Sequence, residues 1–166
     1  MVQSPRYRIG REGGPLAKEA LSEMPQELVG FLQEPRITVL TTLDGEGSPF
    51  VNVISWVLAK DARTLRLMGD GRTQFLKNIR NDPRVAVTVL GAGTAWTIYG
   101  RATVLADKTP GVPLNLCLVE VTDLRVYEAL FWGARLTRPP EWDVTYSPEQ
   151  AHRLDVQVFE AMRSFR

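Results

Sequence analysis

Between residues 36 and 126 the chain is a succession of short apolar or alternating runs broken by turn residues, the mark of strands at hairpin spacing. Arg36 to Leu43, rich in β-branched residues, predicts the first strand. Asp44-Gly45-Glu46-Gly47 follows as a hairpin turn. Phe50 to Ala59 reads as one long second strand, apolar enough to be buried on both faces for part of its length. Thr64 to Met68 is the third strand, Arg84 to Leu90 the fourth, Thr94 to Ala106 the fifth and Leu116 to Val126 the sixth. The fifth is long enough to bend, and Gly100 marks a bulge or a close approach within it. Arg125 to Phe131 reads as a continuation of strand.

The pattern changes to a period near 3.6 in three places. Pro25 opens a short helix with Leu28, Val29, Phe31 and Leu32 on its apolar side, and Pro35 closes it. Phe75, Leu76 and Ile79 give a second helix one apolar side, between a Thr73 N-cap and an Asn81-Asp82-Pro83 stop. Ser147-Pro148-Glu149-Gln150 starts a third, with a capping box and Pro at the first helical position. Its stripe of Ala151, Leu154, Val158, Phe159, Met162 and Phe165 packs either on its own barrel or on a partner subunit. Residues 1–22, broken by Gly and Pro, read as a flexible arm, and residues 23–166 as one domain. Strands at this spacing, with one helix inserted and helices at both ends, predict a mainly β fold: a six-stranded antiparallel barrel. A small barrel is filled by its own side chains, so a ligand sits outside it, in a groove such as a dimer seam.

The loop before the second helix carries candidate chemistry. Gly69 and Gly71 permit a tight backbone, and Arg72 and Thr73 stand where a helix N-terminus offers free N–H groups to an anion. A phosphate grip and an ordinary crossover with a solvated Arg72 both satisfy this pattern. On the second strand, Asn52 and Ser55 are polar residues among apolar ones, and either a ligand or a structural hydrogen bond meets their need for a partner. Trp56 reads either as core or as a ring-stacking wall, and Trp132 and Trp142 as packing anchors for the C-terminal segment.

Composition narrows the options. A formal net charge of +1 argues against a general nucleic-acid binder. No run of eighteen apolar residues suggests a membrane span, and a cytoplasmic location is expected. One cysteine, Cys117, excludes an internal disulfide and reads as an inert buried thiol. With His152 the sole histidine, a zinc site, a Ser-His-Asp mechanism and haem ligation are all disfavoured.

Four local motifs then occur in order. They are Phe31-Leu32-Gln33-Glu34-Pro35-Arg36 with Thr38 to Asp44, Gly47-Ser48-Pro49-Phe50-Val51-Asn52, Lys77-Asn78-Ile79-Arg80-Asn81-Asp82-Pro83-Arg84-Val85, and Trp96 to Ala102 with Gly100-Arg101-Ala102. Together they resemble the FMN-binding split barrel of the pyridoxamine 5′-phosphate oxidase-like superfamily. The resemblance implies a dimeric split barrel, a homodimer with two flavin sites in its seam. It places Asn52, Val53, Ile54, Ser55 and Trp56 along the flavin ring and ribityl chain. Asp70, Arg72, Thr73 and Gln74 fall at the phosphate, and Trp96 or Trp132 reaches across from the other subunit. FMN is the implied cofactor, with the deazaflavin F420 as the second choice. The implied activity is oxidoreductase chemistry on a small molecule, the alternative being a flavin carrier or sensor without turnover. One departure stands out: where many relatives have a phosphate-binding lysine, this chain has Phe75. No catalytic residue and no pyridoxamine 5′-phosphate substrate set is evident.

Overall fold

The computed structural model describes residues 19–166. The chain runs α1 (Gln26–Phe31), β1 (Thr38–Leu43), β2 (Pro49–Ile54), β3 (Val57–Asp61), β4 (Thr64–Asp70), α2 (Gln74–Asn81), β5 (Arg84–Gly91), β6 (Thr94–Ala106), β7 (Leu116–Glu128) and α3 (Pro148–Ser164). The seven strands form one antiparallel sheet in the order β2-β1-β5-β6-β7-β4-β3. The mainly β architecture is therefore as the pattern predicted, with one strand more than the expected six.

The extra strand comes from the segment read as a single run from Phe50 to Ala59. It breaks at Ser55-Trp56 into β2 and β3, which lie at opposite ends of the strand order. The backbone marks the switch: Arg36 donates its N–H to Ser55 O at 3.3 Å, whereas Met68 donates to Trp56 O at 3.2 Å. Ser55 still belongs to the β1 side and Trp56 already belongs to the β4 side. Two strands that meet end to end with apolar residues on both sides of the joint look continuous in one dimension. Their burial differs. In β2, Val51 and Val53 are 57% and 63% exposed, while Val57, Leu58 and Ala59 of β3 are all buried. Val57 and Ala59 face the main core and Leu58 faces α3, so β3 is covered on both sides.

The main core fills the barrel. Leu40, Val87, Ile98 and Val126 come from neighbouring strands, and α1 and α2 add Leu28, Leu32, Leu76 and Ile79. Gly100 lies where β6 slips register against β7, between Tyr99 and Arg101. A Cβ there would sit 2.5 Å from Val121 Cγ1 and 2.8 Å from the Thr122 carbonyl oxygen, so the close approach is real. Residues 116–128 pair as one strand, and Ala129 N–H still donates to Ala95 O at 2.6 Å, but Leu130 and Phe131 lie beyond the ladder.

The helix α3 packs on its own barrel. Val158, Phe159 and Met162 are buried with Leu58, Met68 and Leu118 in a second core. Burying side chains of this size contributes about 1.5–3 kcal/mol each. Ser147 Oγ accepts from Gln150 N–H and Pro148 stands at the first position, as predicted, while the Ser147 hydroxyl itself donates to Glu149 Oε2 at 2.8 Å. Its far end is held by Arg66, only 2% exposed, which donates to Met162 O at 2.6 Å, Phe165 O at 2.9 Å and Glu120 Oε2 at 2.8 Å. Most of the expected flexible arm lies outside the described residues. Its last part is tied down, because Leu21 exchanges hydrogen bonds with Val126 at 2.9 and 2.8 Å.

Candidate functional site

The break between β2 and β3 opens a trough of about 310 Å³ on the surface. Val53, Ile54, Ser55 and Trp56 line it from the break itself, and Ile37 from the residue before β1. Met68 and Gly69 of β4, Phe75 of α2 and Trp142 of the segment before α3 complete the walls. All but Ser55 and Gly69 are large apolar or aromatic residues. Trp56 is fixed by its indole: Nε1 donates to Asp155 Oδ1 of α3 at 2.7 Å. This leaves the Ser55 hydroxyl and the Trp142 indole N–H as the polar side-chain groups in the walls free for a ligand.

Four of the ten expected site residues thus come together. Asn52 lies two residues from Ile54 on the same face of β2, opposite Leu40. Its carboxamide Oδ1 is buried without a hydrogen-bond partner. A buried acceptor without a partner costs about 1–3 kcal/mol, so such an atom suits a ligand N–H. Trp96, the second orphan, is 8% exposed within its own barrel and its Nε1 has no partner. Of the two tryptophans expected to reach across a seam, Trp96 is thus packed within its own barrel. Trp132 does point outward, at 70% exposure.

The remaining expected residues, Asp70, Arg72, Thr73 and Gln74, follow Gly69 out of the trough, and their side chains bond within the loop and to Asn78. Arg72 grips Asp70 with Nε at 2.9 Å and Nη2 at 2.7 Å, and its backbone N–H adds 2.9 Å. Those bonds, the side-chain ones first, lower the Asp70 pKa to about 2 and raise that of Arg72. Thr73 stands at the N-cap of α2, but its hydroxyl makes no capping bond. It donates to Asp70 O at 2.8 Å. Gln74 Nε2 donates to Asn78 Oδ1 at 2.9 Å, and Asn78 in turn donates to Thr42 Oγ1. Phe75, at the position of the missing lysine, is buried against Gly69: a Cβ on Gly69 would fall 2.2 Å from Phe75 Cζ. The glycine therefore makes room for the Phe75 ring, a role the sequence did not suggest. Lys77 is exposed.

Sequence reasoning also missed Ile37, Met68, Gly69, Phe75 and Trp142 as wall residues. Met68 and Gly69 are neighbours of the loop that drew attention, and the pairing of the β3–β4 hairpin would have pointed to them. Trp142 carries no local signal, because its segment has no periodicity.

A second cavity, of about 440 Å³, lies between residues 33–35 and α3 and includes His152. Its polar groups hold α3 to the barrel: Arg163 donates to Gln33 O at 2.7 Å and Asp155 accepts from Trp56. Among the described residues no group of three or more His, Cys, Asp or Glu side chains is placed to hold a metal. No helix among them is long and apolar enough to cross a membrane.

Residues 24–111 match the family model for pyridoxamine 5′-phosphate oxidase, more than half of the chain. The chain belongs to that family. Among solved structures it is similar to a candidate pyridoxamine 5′-phosphate oxidase of Lactobacillus delbrueckii, at 19% identity and TM-score 0.57, covering 66% of this chain and 99% of that one. It is also similar to HupZ of Group A Streptococcus (15% identity, TM-score 0.51, covering 68% of this chain and 98% of that one). An F420 reductase matches at 21% identity and TM-score 0.50, over 60% of this chain and 94% of that one. These likenesses establish the shared fold. No curated protein matches the sequence. Val53 to Trp56, expected along a flavin ring, line the trough, and Asp70 to Gln74, expected at its phosphate, form the loop beside it. The walls fit a flat ring. The loop offers a phosphate a cation that is already paired with Asp70.

Proposed function

We propose that this protein is a flavin-binding oxidoreductase whose ring cofactor lies in the trough at Ser55-Trp56. The observation that carries the reading is the coincidence, in a member of this family, of flat apolar walls with an unpartnered acceptor on the adjoining strand. Trp142, Phe75, Ile54 and Met68 exclude water from the ring, Ser55 donates or accepts at its edge, and Asn52 Oδ1 accepts from a ring N–H. FMN is the first choice of cofactor and the deazaflavin F420 the second. When bound, such a ring supplies hydride or single-electron transfer, with a small molecule as acceptor. The protein's part is to bind and orient the ring. The unengaged polar groups in the walls are the Ser55 hydroxyl and the Trp142 indole N–H, neither an acid nor a base at neutral pH, so no residue is assigned either role.

A dimer completes this proposal. Val51 and Val53 stand on an end strand with their side chains outward and open to water, and Val53 also lines the trough. Pairing two copies over this face covers apolar surface and places a second chain beside each ring. Val51→Asp tests it by sedimentation: the wild-type chain is expected to sediment as a dimer and the variant as a monomer.

A binding module without turnover is the second reading, favoured by the lack of an acidic or basic side chain in the walls. Purified protein loaded with FMN separates the two. Bleaching of the flavin absorbance by a reduced nicotinamide supports the oxidoreductase. A flavin that binds but stays oxidised with every donor tried supports the module. Failure to take up any flavin or F420 refutes both.

A further inference from the structure

The loop leaving the trough at Gly69 carries its own anion. The carboxylate of Asp70 accepts the Arg72 backbone N–H and both arms of its guanidinium fork, at 2.7–2.9 Å. A forked cation and a backbone N–H at a helix entry are the donors that an incoming phosphate needs. The neighbouring polar side chains are spent as well, Thr73 on Asp70 O and Gln74 on Asn78. The next residue inward is Phe75, which brings no charge and is 4% exposed. Asp70 and Arg72 together contribute no net charge, and the carboxylate stays ionised far below neutral pH because Arg72 holds it so.

Resting on the flavin reading above, we infer that Asp70 fills the phosphate position as an internal anion, so that the trough selects its ligand by the ring and is indifferent to a terminal phosphate. The ligand class is a planar, uncharged heteroaromatic ring system, with or without a phosphorylated tail. Asp70 is the specificity-determining residue. It repels a phosphate dianion directly and denies it the one cation within reach in the loop. Relatives with a lysine at the position of Phe75 would differ in this respect.

The test is a pair of titrations at neutral pH, with riboflavin and with FMN, followed by quenching of flavin fluorescence. For the wild-type chain the two dissociation constants are expected to agree within about threefold. A working phosphate grip would separate them by about tenfold or more, the value of a charge-assisted hydrogen bond. Asp70→Asn keeps an acceptor for the Arg72 backbone N–H but releases the guanidinium. It should tighten FMN about tenfold and leave riboflavin unchanged. Wild-type protein that prefers FMN by about tenfold or more overturns the inference while leaving the flavin reading intact. So does an Asp70→Asn variant with unaltered FMN affinity. If wild type binds neither flavin but Asp70→Asn takes up FMN, the flavin reading of the native chain falls and the role of Asp70 stands. If neither protein binds either flavin, both fall.

Discussion

Gly69→Ala is the sharpest probe of how the trough is built. The added methyl group would lie 2.2 Å from Phe75 Cζ and 3.1 Å from each of Cε1 and Cε2, well inside van der Waals contact. Something has to move, and the ring has little freedom because Phe75 is 4% exposed and packed within the main core. Overpacking of this kind costs about 1–3 kcal/mol. For a chain of this size each kcal/mol lowers the melting temperature by about 2–4 °C. The alternative is that the ring swings into the trough, which relieves the strain and closes the site. Either route is measurable: urea unfolding reads the first and riboflavin titration the second. Shortening the obstacle should rescue the variant. Phe75→Leu alone costs roughly 1–3 kcal/mol as a partly filled cavity. The double variant should cost less than the sum, with a coupling of about 1 kcal/mol or more between residues in direct contact. If Gly69→Ala leaves both stability and riboflavin affinity unchanged, or if the two substitutions add, the assigned contact between Gly69 and Phe75 is wrong.

Three further outcomes follow from the same contacts. Arg66→Met should destabilise the fold by about 2–4 kcal/mol in urea, below the top of the range for breaking a buried pair because Glu120 keeps Lys60 at 3.7 Å, and limited proteolysis should then release α3 first. Unchanged proteolysis would mean that Arg66 does not anchor that helix. Trp142→Ala should weaken riboflavin binding about tenfold with little change in unfolding, whereas Trp132→Ala, at a position 70% exposed, should do neither, and equal effects would remove Trp142 from the site. The pKa of Asp70 is lowered from 3.8 to about 2 by Arg72, so its contribution to stability is complete above about pH 4 and is lost as pH falls toward 2. Asp70→Asn should therefore flatten the acid limb of the stability profile between those values, and an identical limb would show that the pair does not persist in solution.

Most of the barrel was legible because its strands obey rules that act locally. β-Branched residues marked β1, and a glycine in a long strand marked the slipped register at Gly100. The Ser-Pro start of α3 announced a helix, since its cap is made by residues three apart. What was not legible depends on contacts between distant segments. Phe50 to Ala59 looked like one strand because both halves are apolar, and only the partners, β1 for one and β4 for the other, separate them. Trp142 reaches the trough from a segment with no period of its own. The Arg72 side chain could be read as a free cation until the rotamer that pairs it with Asp70, two residues away, was seen. The glycines of the loop were read as permitting a tight backbone, and at Gly69 it is a phenylalanine ring that takes up the space.

The joint at Ser55-Trp56 also has a kinetic meaning. The β1–β2 and β3–β4 pairs are hairpins between neighbouring strands, and β5-β6-β7 is a meander, so all three units form from contacts close in sequence. Only the β1–β5 and β4–β7 ladders span long stretches of chain. The two hairpins, tethered by two residues, must dock on opposite flanks of the meander, and those closures carry most of the loop entropy. Lengthening the Ser55-Trp56 tether with glycines should therefore slow the last folding step more than it alters the hairpins themselves. Stopped-flow refolding that is indifferent to the insertion would show that the barrel closes elsewhere.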